Sequence, residues 1–223
     1  MAYKNLVKSI PKYSKSEEKF NIASHEIAVY FSVAASALII IKSVFTSVWS
    51  ASLPCAVLLS FAATSLFFIS CNYHNQKDAI KREKMRIIDH ACVHVLVGAV
   101  FTPFFVKAIQ LYSVKSAFYD LITMWCMLGV CVLLNIIGLE RFKVTAYTLC
   151  FIASIRSMVK VAQLSFVFYE QCIKFLFTGS FFICLGVIIY FVGSKRKWLH
   201  SVFHVLVMLC CTSFYLALFL YII

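Results

Sequence analysis

Long apolar runs recur along this chain, parted by short segments in which the basic residues collect. A run of about 20 apolar residues is what a helix needs to cross a bilayer, and in lipid each backbone N–H and C=O must be satisfied within its own segment. The runs predict spans at residues 24–41, 52–74, 88–106, 117–139, 144–164, 171–192 and 198–223. The expected fold is therefore all-α: a polytopic membrane protein built as a seven-transmembrane helix bundle. Composition agrees, since 13% of the residues are charged and 62% are hydrophobic, whereas a soluble domain carries about 25% charged residues. Pro103 is expected to end or kink the third span. Arg156 and Lys160 interrupt the fifth, which is the least apolar of the seven.

Ahead of the first span, residues 1–24 read as a basic leader holding Lys4, Lys8, Lys12, Lys15 and Lys19 beside Glu17 and Glu18. No short apolar core with a small-residue cleavage site precedes the first span, which is expected to stay as an anchor. Residues 25–223 form the membrane domain. Asn75 to Ile87 is expected to be a charged loop, and Glu140 to Lys143 and Ser194 to Lys197 polar turns. With the leader in the cytoplasm, fifteen Lys and Arg lie in inner segments and five in outer ones. That bias sets the N-terminus inside and the C-terminus outside. Arg156, one turn from Lys160 near the outer end, is expected to snorkel to the interface. The net charge of +12 follows from these segments and does not point to nucleic acid. Ten cysteines, nearly all inside apolar runs and without a Cys-x-x-Cys pair, read as small buried hydrophobes.

This orientation brings the rare polar residues to one depth. His74 ends the second span and Asp89 opens the third. His200 and His204 open the seventh, and His25 begins the first. Residues i and i+4 share a helix face, so His200 stands one turn from His204, and Ser70 one turn from His74. Ionisable groups at membrane depth are expensive and face an interior or a wet cavity. Three imidazoles, His74, His200 and His204, are a ligand set for a catalytic metal, and nitrogen ligands in a hydrolytic arrangement point to zinc. Beside it Asp89 suits a proton acceptor and Ser70 an orienting hydroxyl. His90 and His94 form a second pair at the same spacing, read as polar neighbours. A site at the membrane margin implies a lipid amide or ester as substrate. The chain has no Gly-rich phosphate loop, nucleophile elbow or His-Glu-x-x-His.

These stretches resemble the hemolysin III family, the bacterial branch of the progestin and adipoQ receptor family, grouped with the alkaline ceramidases. The resemblance runs from about Asn21 to the C-terminus. It is carried by Asn21-x-x-x-His25, Ser70-x-x-Tyr73-His74, Arg86-x-x-Asp89-His90 with Gly98 and Thr102-Pro103-Phe104, Gly186-x-x-x-Tyr190, and His200-x-x-x-His204. Ala28, His94, Phe203 and Arg156 depart from the family's usual Gly, aromatic, Trp and neutral residue. The resemblance implies seven spans with the N-terminus inside a bacterial plasma membrane. It also implies zinc on His74, His200 and His204, with Asp89 and Ser70 holding water. Three functions compete: a zinc-dependent, ceramidase-like hydrolase of lipid amides serving lipid homeostasis, a pore-forming cytolysin, and a receptor-like lipid sensor with a structural zinc. A pore wants a polar stripe along a whole span, and the sequence holds its charges at the span ends.

Overall fold

The structure, a computed structural model, describes residues 13–46, 49–137, 140–164, 170–193 and 196–223. Residues 1–12 of the leader, and Ser194 and Lys195 of the last basic turn, lie outside the described residues. Seven α-helices follow: α1 Lys15–Phe45, α2 Ser52–Asn75, α3 Ala79–Tyr112, α4 Lys115–Ile136, α5 Glu140–Gln163, α6 Glu170–Gly193 and α7 Leu199–Ala217, with a π-helical turn Leu218–Ile222 at the end. No strand occurs among the described residues. Six of the helices are long and apolar enough to cross a membrane. The exception is α5, the helix carrying Arg156 and Lys160.

Two helices begin well before their apolar runs. α1 starts at Lys15 because Ser14 and Glu17 form a capping box: the Glu17 amide donates to Ser14 Oγ, and the Ser14 amide to Glu17 Oε2. Two orphan N–H groups are thereby satisfied. α3 starts at Ala79, capped by Asp78, whose Oδ1 accepts from the Lys81 amide at 2.8 Å. The charged stretch ahead of Ile88 is thus the first turns of α3, and only Gln76–Asp78 connect. Lys, Arg, Glu and Met are strong helix formers, and the interface lets their heads stay in water. Glu140, expected in a turn, opens α5. Pro103 does not end α3, which runs nine residues beyond it to Tyr112. Nearby, Thr102 Oγ1 donates to the Gly98 carbonyl at 2.7 Å, and neighbouring helices commonly support such a proline inside a membrane.

Among the described residues, each helix packs closely on its successor except α5 on α6, where any contact is sparse, and α1 also packs on α7. α3 is the most enclosed helix and touches α2, α4 and α5. Contacts rely on small residues: Ala56, Ala99, Ala108, Ala146 and Ala153 are all fully buried. Apolar burial gains little in lipid, so close van der Waals approach and interhelical hydrogen bonds hold such bundles. Gly98 shows the approach most sharply, for a Cβ there would meet the Trp125 ring at 2.6 Å. That indole donates to Thr102 Oγ1 at 3.0 Å. Large apolar side chains such as Phe31, Phe45, Phe61 and Phe181 point outward and are exposed, as a lipid-facing surface requires.

The two ends of the bundle differ. At one end Lys42 donates to the Phe219 carbonyl, while Lys107 donates to those of Tyr221 and Ile222 at 3.0 and 2.9 Å. These lysines satisfy the open carbonyls of the last turn, which also carry the negative end of the helix dipole. Arg156, instead of snorkelling alone, pairs with Asp120 at 2.5 Å and ties α5 to α4. The other end holds the histidines.

Candidate metal centre

The inward face of α1 is the polar one. Glu17, Asn21, Ser24, His25, Ala28, Ser32, Ile39 and Ser43 are buried at helical spacing, whereas Tyr30, Phe31 and Val33 are exposed. Asn21 Oδ1 accepts from Ser201 Oγ at 2.7 Å, locking α1 to α7 at the level of the histidines. Trp198, which precedes α7, has φ 67°. A left-handed backbone costs a residue with a Cβ about 1–2 kcal/mol. It is held by its amide, which donates to Glu17 Oε1 at 2.7 Å, and by the Phe20 ring 6.0 Å away. α1 therefore sets where α7 begins, and with it the position of His200 and His204.

Four imidazoles meet there. His25, His74 and His204 are buried, and each brings one ring nitrogen to within 4.8 Å of the others. His200 Nε2 lies 2.9 Å from His204 Nε2, one turn away on α7. The His74 ring stands 5.0 Å from that of His204 and 5.4 Å from that of His200. Against this cluster, the Ser70 hydroxyl donates to Asp89 Oδ1 across the α2–α3 contact. Asp89 Oδ2 faces His90 Nδ1 at 3.4 Å. All the residues expected from the sequence, Ser70, His74, Asp89, His200 and His204, thus gather at one end of the bundle. His25 joins them more intimately than expected. His94 does not: its Nε2 meets Asn135 Nδ2 at 2.5 Å inside the α3–α4 contact.

Other partners gave no such signal. Glu18 Oε2 meets His74 Nδ1 at 2.8 Å, and its second oxygen accepts from Arg82 of α3. Glu18 lies seven residues before His25, two turns along one face, but it precedes the apolar run and reads as leader. Tyr13 stacks on His200, centroids 4.7 Å apart and planes at 19°. Burial, with Tyr73, Tyr190 and Glu18 nearby, pushes its phenol above the ordinary value, so it covers the site as a neutral ring.

The donor set fits a metal ion. Neither ring nitrogen of His25, nor His204 Nδ1, has a hydrogen-bond partner among the described residues although all are buried. Buried polar atoms left so cost about 1–3 kcal/mol each, and imidazole nitrogens converging from three helices are ligands of the kind zinc takes.

Beside the cluster lies a cavity of about 480 Å³. His25, Ser70, Asp89, His200 and His204 line its polar end, and apolar side chains of α3, α5, α6 and α7 line its length. Ile155 and Val159 of α5 and Phe177 and Phe181 of α6 line it while also being exposed. They mark a mouth between α5 and α6, facing the side of the bundle.

Fold and site together define a polytopic helical membrane protein with a buried histidine cluster at the polar end of a laterally open, apolar cleft. The profile of haemolysin-III related proteins matches residues 13–215, and the chain belongs to that family. It is similar to the Hemolysin-3 homolog of Bacillus subtilis, 22% identical over 210 residues that cover 91% of this chain and 96% of the relative.

Proposed function

We propose that the protein is a zinc-dependent intramembrane hydrolase of lipid amides, ceramidase-like, acting in lipid homeostasis of a bacterial plasma membrane. In this reading the bundle crosses the membrane seven times, with the histidine end inside. His74, His200 and His204 hold the zinc. Support for His200 comes from its place on the same helix as His204, with nitrogens 2.9 Å apart, near the roughly 3.3 Å that two nitrogens at about 2.0–2.1 Å from one tetrahedral ion would show. Zinc would supply Lewis acidity, polarising a carbonyl and making water easier to deprotonate. Asp89 takes the proton on a carboxylate oxygen, and Ser70 holds its Oδ1 in place. The substrate's chain occupies the apolar cleft, entering from the bilayer between α5 and α6, and its amide lies at the polar end. The elements of water add across the C–N bond: hydroxyl to the acyl carbon, proton to the departing amine. A fatty acid and a free amine result.

The observation that carries this reading is the histidine cluster beside Asp89 and Ser70 at the polar end of the cleft. A pore would want a polar conduit, and beyond the histidine end this cavity is lined mainly by apolar side chains. The deciding experiment measures zinc content of the purified protein and its turnover of ceramide-like and other lipid amides in liposomes. Zinc at one per chain with amide turnover is the expected result. Zinc without turnover of any lipid amide or ester replaces the hydrolase with a sensor holding a structural zinc. Release of liposomal dye by the wild type and Asp89→Asn alike gives the function to the cytolysin.

A further inference from the structure

We infer that Glu18, two turns before His25 on α1, is the positioning residue for His74. It fixes which nitrogen of that imidazole faces the metal. This rests on the metal reading proposed above.

Glu18 Oε1 accepts from the Arg82 guanidinium, which is always charged, so Glu18 stands as a carboxylate and can only accept hydrogen bonds. Its Oε2 lies 2.8 Å from His74 Nδ1. The proton in that contact therefore belongs to His74, and its neutral ring is the Nδ1–H tautomer with a bare Nε2. That is the nitrogen left to join the cluster of His25, His74 and His204. His74 is the next-to-last residue of α2, and the aromatic rings packed around it supply no hydrogen bond that would choose between its two nitrogens. Glu18 supplies that bond from a second helix, and Arg82 aims Glu18 from a third. The Arg82 guanidinium also sits over the Tyr73 ring, 5.2 Å from its centroid. A carboxylate accepting from the far nitrogen of a ligand histidine raises the ring's basicity as well as orienting it, and losing such a partner typically weakens metal binding by about 10–100-fold. The arrangement also gives the acidic pair in an otherwise basic leader separate tasks: Glu17 holds the start of α7, and Glu18 holds His74.

The test uses full-length protein in detergent, with zinc affinity measured by chelator competition and the His74 tautomer read from ¹⁵N shifts. Glu18→Ala should bind zinc about 10–100-fold more weakly and lose the uniform Nδ1–H signature. Glu18→Gln, which keeps an acceptor oxygen, should recover part of both. Arg82→Met removes the group that aims Glu18, so its affinity should fall by less than that of Glu18→Ala, while Asp120→Ala, which breaks the distant α4–α5 ion pair, should keep wild-type affinity. The inference is overturned if Glu18→Ala keeps wild-type affinity and tautomer. It is equally overturned if Asp120→Ala loses as much zinc as Glu18→Ala, because zinc loss would then follow from loosened helix packing alone. A wild type that binds no zinc brings down the metal reading itself, an outcome distinct from both.

Discussion

Ser70 and Asp89 stand on neighbouring helices, and the hydroxyl of the first donates to Oδ1 of the second. The bond sets the carboxylate's rotation at the polar end of the cleft. Asp89→Asn removes the proton acceptor but none of the imidazoles. With zinc saturating, it should retain metal and lose turnover by about 10²–10⁴-fold, the usual range for a general base. Ser70→Ala should cost less, because Asp89 keeps its charge and loses only one orienting bond. Metal content and lipid amide turnover in the same samples check both. Equal losses from the two substitutions would mean that Asp89 is not the proton acceptor.

The ligand set can be separated from its surroundings. His74→Ala, His200→Ala and His204→Ala should each remove most of the zinc, His25→Ala should cost less than any of the three, and His94→Ala should leave occupancy nearly intact. His94 lies in the α3–α4 contact against Asn135 and is a control. His25 is the sharper comparison, since its nitrogens reach the same cluster. Retention of zinc by His200→Ala with loss by His25→Ala would transfer the third ligand from α7 to α1.

Opposite faces of the membrane should hold the two ends of the chain. Glu18 of α1 touches His74 at the histidine end, whereas Lys42, at the other end of α1, reaches the Phe219 carbonyl. The start of α1 and the close of α7 thus lie at opposite ends of the bundle. With the basic bias, an N-terminal reporter should read cytoplasmic and a C-terminal one external. Two reporters on one side would require an even number of crossings and would exclude α5 as a span.

Much of this was legible because the bilayer simplifies the code. Apolar length located six of the seven helices, and a weaker run interrupted by Arg156 and Lys160 located α5. The helix starts were less visible, because hydropathy does not register an amphipathic extension: Ser14–Glu17 and Asp78 cap turns whose charged residues look like loop. Within the site, the pair on α7 could be read from i, i+4 spacing, and convergence with His74 and Asp89 from counting crossings. Contacts between helices carry no such period. Arg156 with Asp120, Tyr13 over His200, and Glu18 against His74 depend on how the bundle closes. A leader of mixed charge gives no hint that one of its acids will meet a buried imidazole.

The cleft offers a test that leaves the histidines untouched. Ser180 of α6 lines the cavity, close to Phe181 at the mouth and ten residues before Tyr190, whose ring lies 6.4 Å from that of His200. At about 1.5 Å of rise per residue, this places Ser180 roughly 15 Å along α6 from the polar end. Ser180→Trp should fill the passage between α5 and α6 with a ring that apolar neighbours accept. Zinc content should match wild type, while turnover of long-chain lipid amides falls sharply and that of a short-chain amide, which does not need the outer cleft, falls much less. The chain-length dependence is the informative readout. A misfolded variant loses zinc together with both activities, whereas a blocked cleft loses only the long substrate. If Ser180→Trp folds, holds zinc and cleaves long-chain amides as fast as wild type, lipid does not enter between α5 and α6.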